Sequence, residues 1–236
     1  MIKHTLMRLA KQLQFHTPLR NSMVHRYDYF FWPEELSFLA RLMEASVRQE
    51  GCVVEIGCAQ GATTVYLNKH LEWATRYQGL RKDVRYACFD TFSGFVADHV
   101  AHEQAERGKG GESFNDYRIN SPEWFRHMLH LNGYPQVEVH QGDAAKFDWA
   151  KVGPIGFCLL DVDLYVPTKA ILPEVHRRLA PGGVIVVDDC QPAQRYDGAR
   201  QAYVEFMASL GREPDIHHRK FGIIRADANE PPAQPL

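Results

Sequence analysis

Two aspartate pairs are the residues of this 236-residue chain best placed to do chemistry: Asp161-Val162-Asp163 and, 25 residues further on, Asp188-Asp189. Each ends an apolar run that reads as a buried strand, residues 155–160 before the first pair and 184–187 before the second. In an open α/β sheet the residues just beyond the carboxyl ends of neighbouring strands meet in one crevice, and ligands bind there. Four carboxylates converging in it repel unless a hard cation neutralises them or a proton is shared. Oxygen ligands of this kind suit Mg²⁺, Mn²⁺ or Ca²⁺ rather than zinc. The expected chemistry is that of a divalent-cation enzyme.

A second group of residues would line the other half of such a crevice. Glu55-Ile56-Gly57-Cys58-Ala59-Gln60-Gly61 follows the short apolar run that starts at Val53. Glycines there allow a tight turn and close approach of backbone to a ligand. A dinucleotide fingerprint needs G-x-G-x-x-G, and Ala59 replaces its middle glycine. A pyrophosphate therefore fits poorly, and the acidic Glu55 favours a cationic ligand without phosphates. S-adenosylmethionine, a sulfonium, answers that description. Asp90, at the end of the next strand, is where a carboxylate can take ribose hydroxyls. Asp143, in Gln141-Gly142-Asp143 after the third strand, can meet an adenine amino group. One acid at a strand end is commonly a solvated turn residue; three in strand order are harder to set aside.

The elements that must position these groups follow from periodicity and turn signals. Residues 1–30 are basic and aromatic with no clean period, and a helix begins after Pro33, with Leu36, Leu39, Leu42, Met43 and Val47 at spacings of three and four, ending at Gly51. Strands are expected at 53–56, 84–89, 137–139 and in the two runs before the aspartate pairs, with a helix from about Ala62. Residues 93–120, rich in glycine and charge, read as a long mobile insertion acting as a lid. Ser121 is an N-cap with Pro122 at the first helical position, and Gly133 ends that helix. Ala170, Ile171, Val175 and Leu179 suggest a helix that Pro173 would kink or shorten. Pro181-Gly182-Gly183 reads as a turn into the fifth strand. A later helix carries Ala199, Tyr203, Phe206, Met207 and Leu210, then two short strands lie near Ile216 and 221–224. The expected fold class is α/β: a doubly wound, mostly parallel, Rossmann-like sheet with a terminal antiparallel strand pair and an N-terminal helical extension. Residues 1–50 would be the extension, 51–225 the domain, and 226–236 a frayed tail.

Composition narrows the class. With 27 basic and 29 acidic side chains the formal charge is −2, which argues against nucleic acid and anionic membranes as partners. The five cysteines, Cys52, Cys58, Cys88, Cys158 and Cys190, form no CxxC pair and read as reduced thiols. With no long apolar run and no signal-peptide core at the N-terminus, the expected location is the cytoplasm. A homo-oligomer is compatible with the sequence.

Four segments carry a family resemblance: 53–64; Phe89-Asp90-Thr91-Phe92-Ser93-Gly94-Phe95; Leu160-Asp161-Val162-Asp163-Leu164-Tyr165; and 181–189, ending in Asp188-Asp189. Together they resemble the macrocin O-methyltransferase (TylF-like) family, over about residues 52–225. That family comprises class I S-adenosylmethionine-dependent enzymes, several of which need Mg²⁺ and methylate sugar hydroxyls of glycosylated natural products. The resemblance implies that Asp161, Asp188 and Asp189 hold the metal and that Asp163 is the general base. It places the cofactor against Glu55, Gly57, Cys58, Ala59, Gly61, Thr63, Asp90, Thr91, Gly142, Asp143 and Asp161. The chain departs from the pattern at Val162, Val166-Pro167 and Cys190, which bears on the acceptor more than on the chemistry.

Other residues read more blandly. His140 fits a partly buried strand end, and His99 and His102 fit solvated positions in the insertion. Tyr165 and Arg195 could meet the acceptor, but helix-start packing and solvent account for them equally well. Tyr27, Tyr29, Phe30, Phe31 and Trp32 fit packing, a pocket roof or a subunit contact. The competing functions are a catechol-type O-methyltransferase, a cofactor-binding protein without catalysis and, weakest, a nicotinamide oxidoreductase.

Overall fold

The computed structural model describes residues 2–18, 27, 29–192 and 195–226. It divides into two compact units, residues 1–30 and 31–236. In the first, residues expected to lack a clean period form helix α1, Ile2–Phe15. The expected tail after Ala226 lies outside the described residues.

The second unit is a sheet of seven strands in the order β3-β2-β1-β4-β5-β7-β6. Its strands are β1 (Cys52–Ile56), β2 (Tyr86–Asp90), β3 (Glu138–Gln141), β4 (Ile155–Leu160), β5 (Leu179–Val187), β6 (Ile216–His217) and β7 (Phe221–Arg225). The first five pair in parallel, and β7 runs antiparallel to both β5 and β6. The helices are α2 (Pro33–Ser46), α3 (Ala62–Tyr77), α4 (Ala97–Glu106), α5 (Pro122–Leu131), α6 (Tyr165–His176) and α7 (Gly198–Ser209). Strands β1 and β4 are buried at every position, as near-continuous Val, Ile, Leu and Cys runs should be when both faces of a parallel sheet are covered. All five cysteines are buried free thiols.

Several boundaries differ from expectation for physical reasons. Helix α2 belongs to the sheet unit rather than to an extension: Leu36, Leu39, Met43 and Val47 are buried, and a Cβ on Gly156 of β4 would collide with Val47. Ser121 caps α5 by accepting a hydrogen bond from the Trp124 N–H, as expected. Helix α6 continues through Pro173, which lies in its last turn. Pro181-Gly182-Gly183 does not precede β5 but bulges within it, between the Ile155–Leu179 and Phe157–Val184 pairings. The insertion is no structureless lid, since it contains α4, whose His99 and Glu103 are buried.

One row of backbone hydrogen bonds aligns the carboxyl ends of the parallel strands. Gly142 N–H donates to Asp90 O, Gly57 N–H to Phe89 O, Asp161 N–H to Ile56 O and Asp188 N–H to Leu160 O, at 2.8–2.9 Å. Strand order reverses between β1 and β4, so the crevice opens where the row passes from Gly57 to Asp161.

Candidate active site

The β1–α3 loop is the first wall. Gly57 has φ +87, and a Cβ there would lie 1.7 Å from the carbonyl oxygen of Asp161. Only glycine lets the loop pack directly on the end of β4. Ala59, standing where a fingerprint glycine would, adopts a left-handed conformation (φ +45). Its N–H donates to Asp90 Oδ2 at 2.8 Å, and the Phe92 N–H donates to Asp90 Oδ1 at 2.7 Å. Asp90 is thus pinned by backbone amides with lone pairs left over, since a carboxylate offers about four acceptor sites. Burial raises its carboxyl while those amides oppose the shift.

Glu55 lies beneath this loop, only 1% exposed. Its Oε2 accepts from Thr64 Oγ1 at 2.7 Å and from Tyr86 Oη at 2.6 Å. Burial pushes its carboxyl up to about 7 against those two hydrogen bonds. Cys58 is also buried, with a thiol pushed well up by burial and by Cys88. Gly61 caps α3 in a left-handed conformation, and a side chain there would strike Met128 and Phe125. Thr63 is half-buried in the first turn of α3, while Thr91 Oγ1 donates to Gly94 O at 2.6 Å.

At the next strand end, Asp143 Oδ1 accepts from the Ala145 N–H at 3.0 Å. Its Oδ2 is buried and, among the described residues, has no hydrogen-bond partner. Lys146 Nζ at 3.5 Å supplies charge from longer range, and His99 Nε2 lies 3.6 Å away. A buried acceptor of this kind is costly unless a donor arrives, and an adenine amino group is such a donor. His99, expected in solvent, is buried here, and burial lowers its pKa. The sequence reading also missed Asn120, whose Nδ2 donates to Ala59 O at 2.5 Å and ties the insertion to the loop.

The aspartates form the second wall. Ligand oxygens of Asp161, Asp163 and Asp189 all lie within 4.8 Å of one another. Burial, then Asp188 and Asp189, hold the Asp161 carboxyl well above the usual range against Lys220. Burial, Asp161 and a hydrogen bond with Asp189 do the same for Asp163. Asp188 has a different fate from the one expected of it. It is 5% exposed and paired with Lys220 Nζ at 3.0 Å. The reason is local: Cys190 N–H donates to Lys220 O at 2.7 Å, bringing the turn between β6 and β7 against the end of β5. Asp188 thus has a cation of its own, and Asp163 takes the third place in the cluster.

The backbone at Asp163 is strongly constrained. Its φ is +62, and Leu164 N–H donates to Val162 O at 2.6 Å, closing a γ-turn of the rare hand. Asp163 O accepts from the Ala199 N–H at the start of α7. Glu103, on the insertion, accepts from the Tyr165 N–H at 2.7 Å and pairs with Arg107, which also pairs with Asp197. Strain of about 1–3 kcal/mol at such a residue persists only where its surroundings over-determine it.

Aromatic faces stand beside the cluster. Phe95 packs against Phe114, Tyr117 and Tyr196 with ring centroids 5.7–6.1 Å apart. Burial and the charges of Asp163 and Asp161 raise the Tyr117 phenol, and Asp163 also acts on Tyr196. Arg195 is salt-bridged to Asp116 and lies over the Tyr196 ring at 4.8 Å. Tyr165 Oη donates to Glu205. His140 stacks on Phe89 at 4.5 Å, as a partly buried strand-end histidine would.

A parallel sheet reversed at β1/β4 and closed by an antiparallel hairpin, with acids at successive strand ends, defines a Rossmann-like methyltransferase fold. Residues 54–190 match the family described as a methyltransferase domain, and the chain belongs to that family. No curated protein matches the sequence. Among solved structures, the O-methyltransferase NovP is similar with a TM-score of 0.63 and 18% identity, covering 81% of this chain and 78% of that one. CalS11, a calicheamicin methyltransferase, gives 0.62 and 17%, covering 94% and 91%. An O-methyltransferase from Bacillus cereus, solved with SAH, gives 0.51 and 17%, covering 92% and 96%.

Proposed function

We propose that the chain is an S-adenosylmethionine-dependent O-methyltransferase that uses a divalent cation to act on a hydroxyl of a small acceptor, a sugar unit of a glycosylated metabolite. The observation that carries the reading is the close cluster of Asp161, Asp163 and Asp189 beside the β1 loop and Asp90. The TylF-like motifs support it, as do similar folds described as O-methyltransferases, one of them a TDP-rhamnose 3'-O-methyltransferase.

The donor end fits a sulfonium nucleoside: Asp90 retains acceptor capacity for ribose hydroxyls, and Asp143 Oδ2 has room for a donor. The acid cluster fits a hard cation, because three carboxylates offer oxygen ligands within 4.8 Å of one another. Asp161 and Asp189 would hold it, consistent with the one or two protein carboxylates that Mg²⁺ usually takes. A bound divalent ion would supply Lewis acidity, lowering the pKa of a hydroxyl, and would orient it. Asp163 takes the proton, and its constrained γ-turn keeps the carboxylate aimed. Lys220 keeps Asp188 out of the competition for the ion. Alignment of acceptor and donor by the two walls contributes several kcal/mol more.

The test is transfer of a labelled methyl group to a library of glycosides and other hydroxylated acceptors, with Mg²⁺ and with chelator. Transfer that survives chelation unchanged would remove the cation from the proposal; donor binding without any transfer would favour a binding-only protein. Asp163→Asn separates the roles further. Metal binding should persist while turnover falls by about a hundredfold or more; joint loss of both would make Asp163 a ligand. The aromatic faces of Phe95, Phe114, Tyr117 and Tyr196 favour a second reading, a catechol-type acceptor, which the same library distinguishes.

A further inference from the structure

The N-terminal helix plays no part in the chemistry above, yet its sequence is strongly patterned. Leu6, Leu9 and Leu13 follow one another at spacings of three and four along α1, so they share one face, and they are 61%, 51% and 71% exposed. Lys11 falls on the opposite face by the same spacing. An isolated 14-residue helix is marginal in water, and this one has no acidic residue in its first turn and no basic residue in its last. Such a helix needs a surface to lie against.

Charge says which surface. The first 27 residues contain Lys3, Arg8, Lys11, Arg20 and Arg26 and no aspartate or glutamate. Taking these five from the chain's 27 basic side chains leaves 22 against 29 acidic ones. The overall charge of −2 thus conceals a basic N-terminal segment on an acidic body, and it was the overall figure that argued against anionic membranes. No helix among the described residues is long and apolar enough to cross a membrane. At about 1.5 Å per residue, α1 is also too short to span a bilayer core. A leucine stripe opposite Lys11, in a segment with basic and no acidic side chains, instead suits a helix lying in the plane of the headgroups.

We infer that α1 is an interfacial anchor that docks its Leu6-Leu9-Leu13 stripe into an anionic lipid surface. The acidic body is repelled by the same surface, so the attachment is made by this segment alone. Lipid binding would bring the enzyme to membrane-associated acceptors; it does not depend on the identity of the reaction.

The experiment is co-sedimentation of the full-length protein with phosphatidylcholine vesicles, with and without phosphatidylserine, over a salt series. Binding is expected only with phosphatidylserine, weakening as salt rises and accompanied by a gain in helical circular dichroism. Leu9→Glu/Leu13→Glu should weaken it by at least about tenfold, and Lys11→Glu by about fivefold or more, with the thermal transition of the protein unchanged. No binding at low salt, or equal binding by the leucine variant, would overturn the inference. So would a leucine-dependent dimer seen by light scattering without vesicles, which would assign the stripe to a second copy of the chain.

Discussion

The two walls of the crevice hold acids in opposite ways. On the β1–β2 side, Asp90 is gripped by the Ala59 and Phe92 amides, and Glu55 by two hydroxyls. Those carboxylates are parts of the scaffold, and their charge is already answered by dipoles. On the β4–β5 side, Asp161, Asp163 and Asp189 crowd one another, with a hydrogen bond between Asp163 and Asp189. The contrast teaches that an acid at a strand end is informative through its partners. A carboxylate met by backbone amides can be built into a binding surface, whereas crowded carboxylates repel unless a cation or a shared proton relieves them.

The sharpest way to break this contrast is to discharge the crowded side. Asp161→Asn should reduce cation-dependent transfer by about a hundredfold or more, while raising the melting temperature in chelator by a few degrees because repulsion is relieved. Initial rates and calorimetry check both halves; a variant destabilised without metal would mean that the cluster is not repulsive. Gly57→Ala should damage both walls together, because the new Cβ would meet the Asp161 carbonyl. A loss of at least about 3 kcal/mol in denaturant unfolding is expected. Asp90→Asn should act on one wall only, weakening donor binding by about 2 kcal/mol and leaving cation affinity unchanged in a titration.

The effect of Glu55 is confined to a pH window. Its carboxyl is raised from 4.5 to about 7, so between those values the folded protein holds a proton that the unfolded chain has lost. Glu55 therefore contributes a stability that is full below about 4.5, falls as pH rises and levels off above about 7, with a slope no steeper than about 1.4 kcal/mol per pH unit. Glu55→Gln should lack that component. Unfolding of both proteins across this window, compared by difference, isolates it; parallel curves would show that Glu55 is ionised throughout.

Much of this was legible because it is local. The strand–helix alternation, the Ser121-Pro122 cap and the position of each strand-end acid follow from a few adjacent residues. Distant partners were not. Nothing near Asp188 announces Lys220, 32 positions on, which arrives only because β7 pairs antiparallel with β5. Helix α4 was hidden because its interior-facing side chains are the polar His99 and Glu103, buried beside Asp143 and Arg107 rather than in an apolar stripe. Helix α1 carried its leucine pattern in plain view, but the surrounding basic residues obscured the period.

Lys220 also sets the electrical balance of the proposed reaction. On the β4–β5 wall alone, four aspartates and that ammonium sum to a formal charge of −4 + 1 = −3, which one divalent ion and one sulfonium would offset. Methyl transfer turns the sulfonium into an uncharged thioether, and Asp163, by accepting the hydroxyl proton, restores the positive charge given up at sulfur. The site would thus pass from reactants to products without changing its net charge, so no ion need enter or leave the crevice during the chemical step.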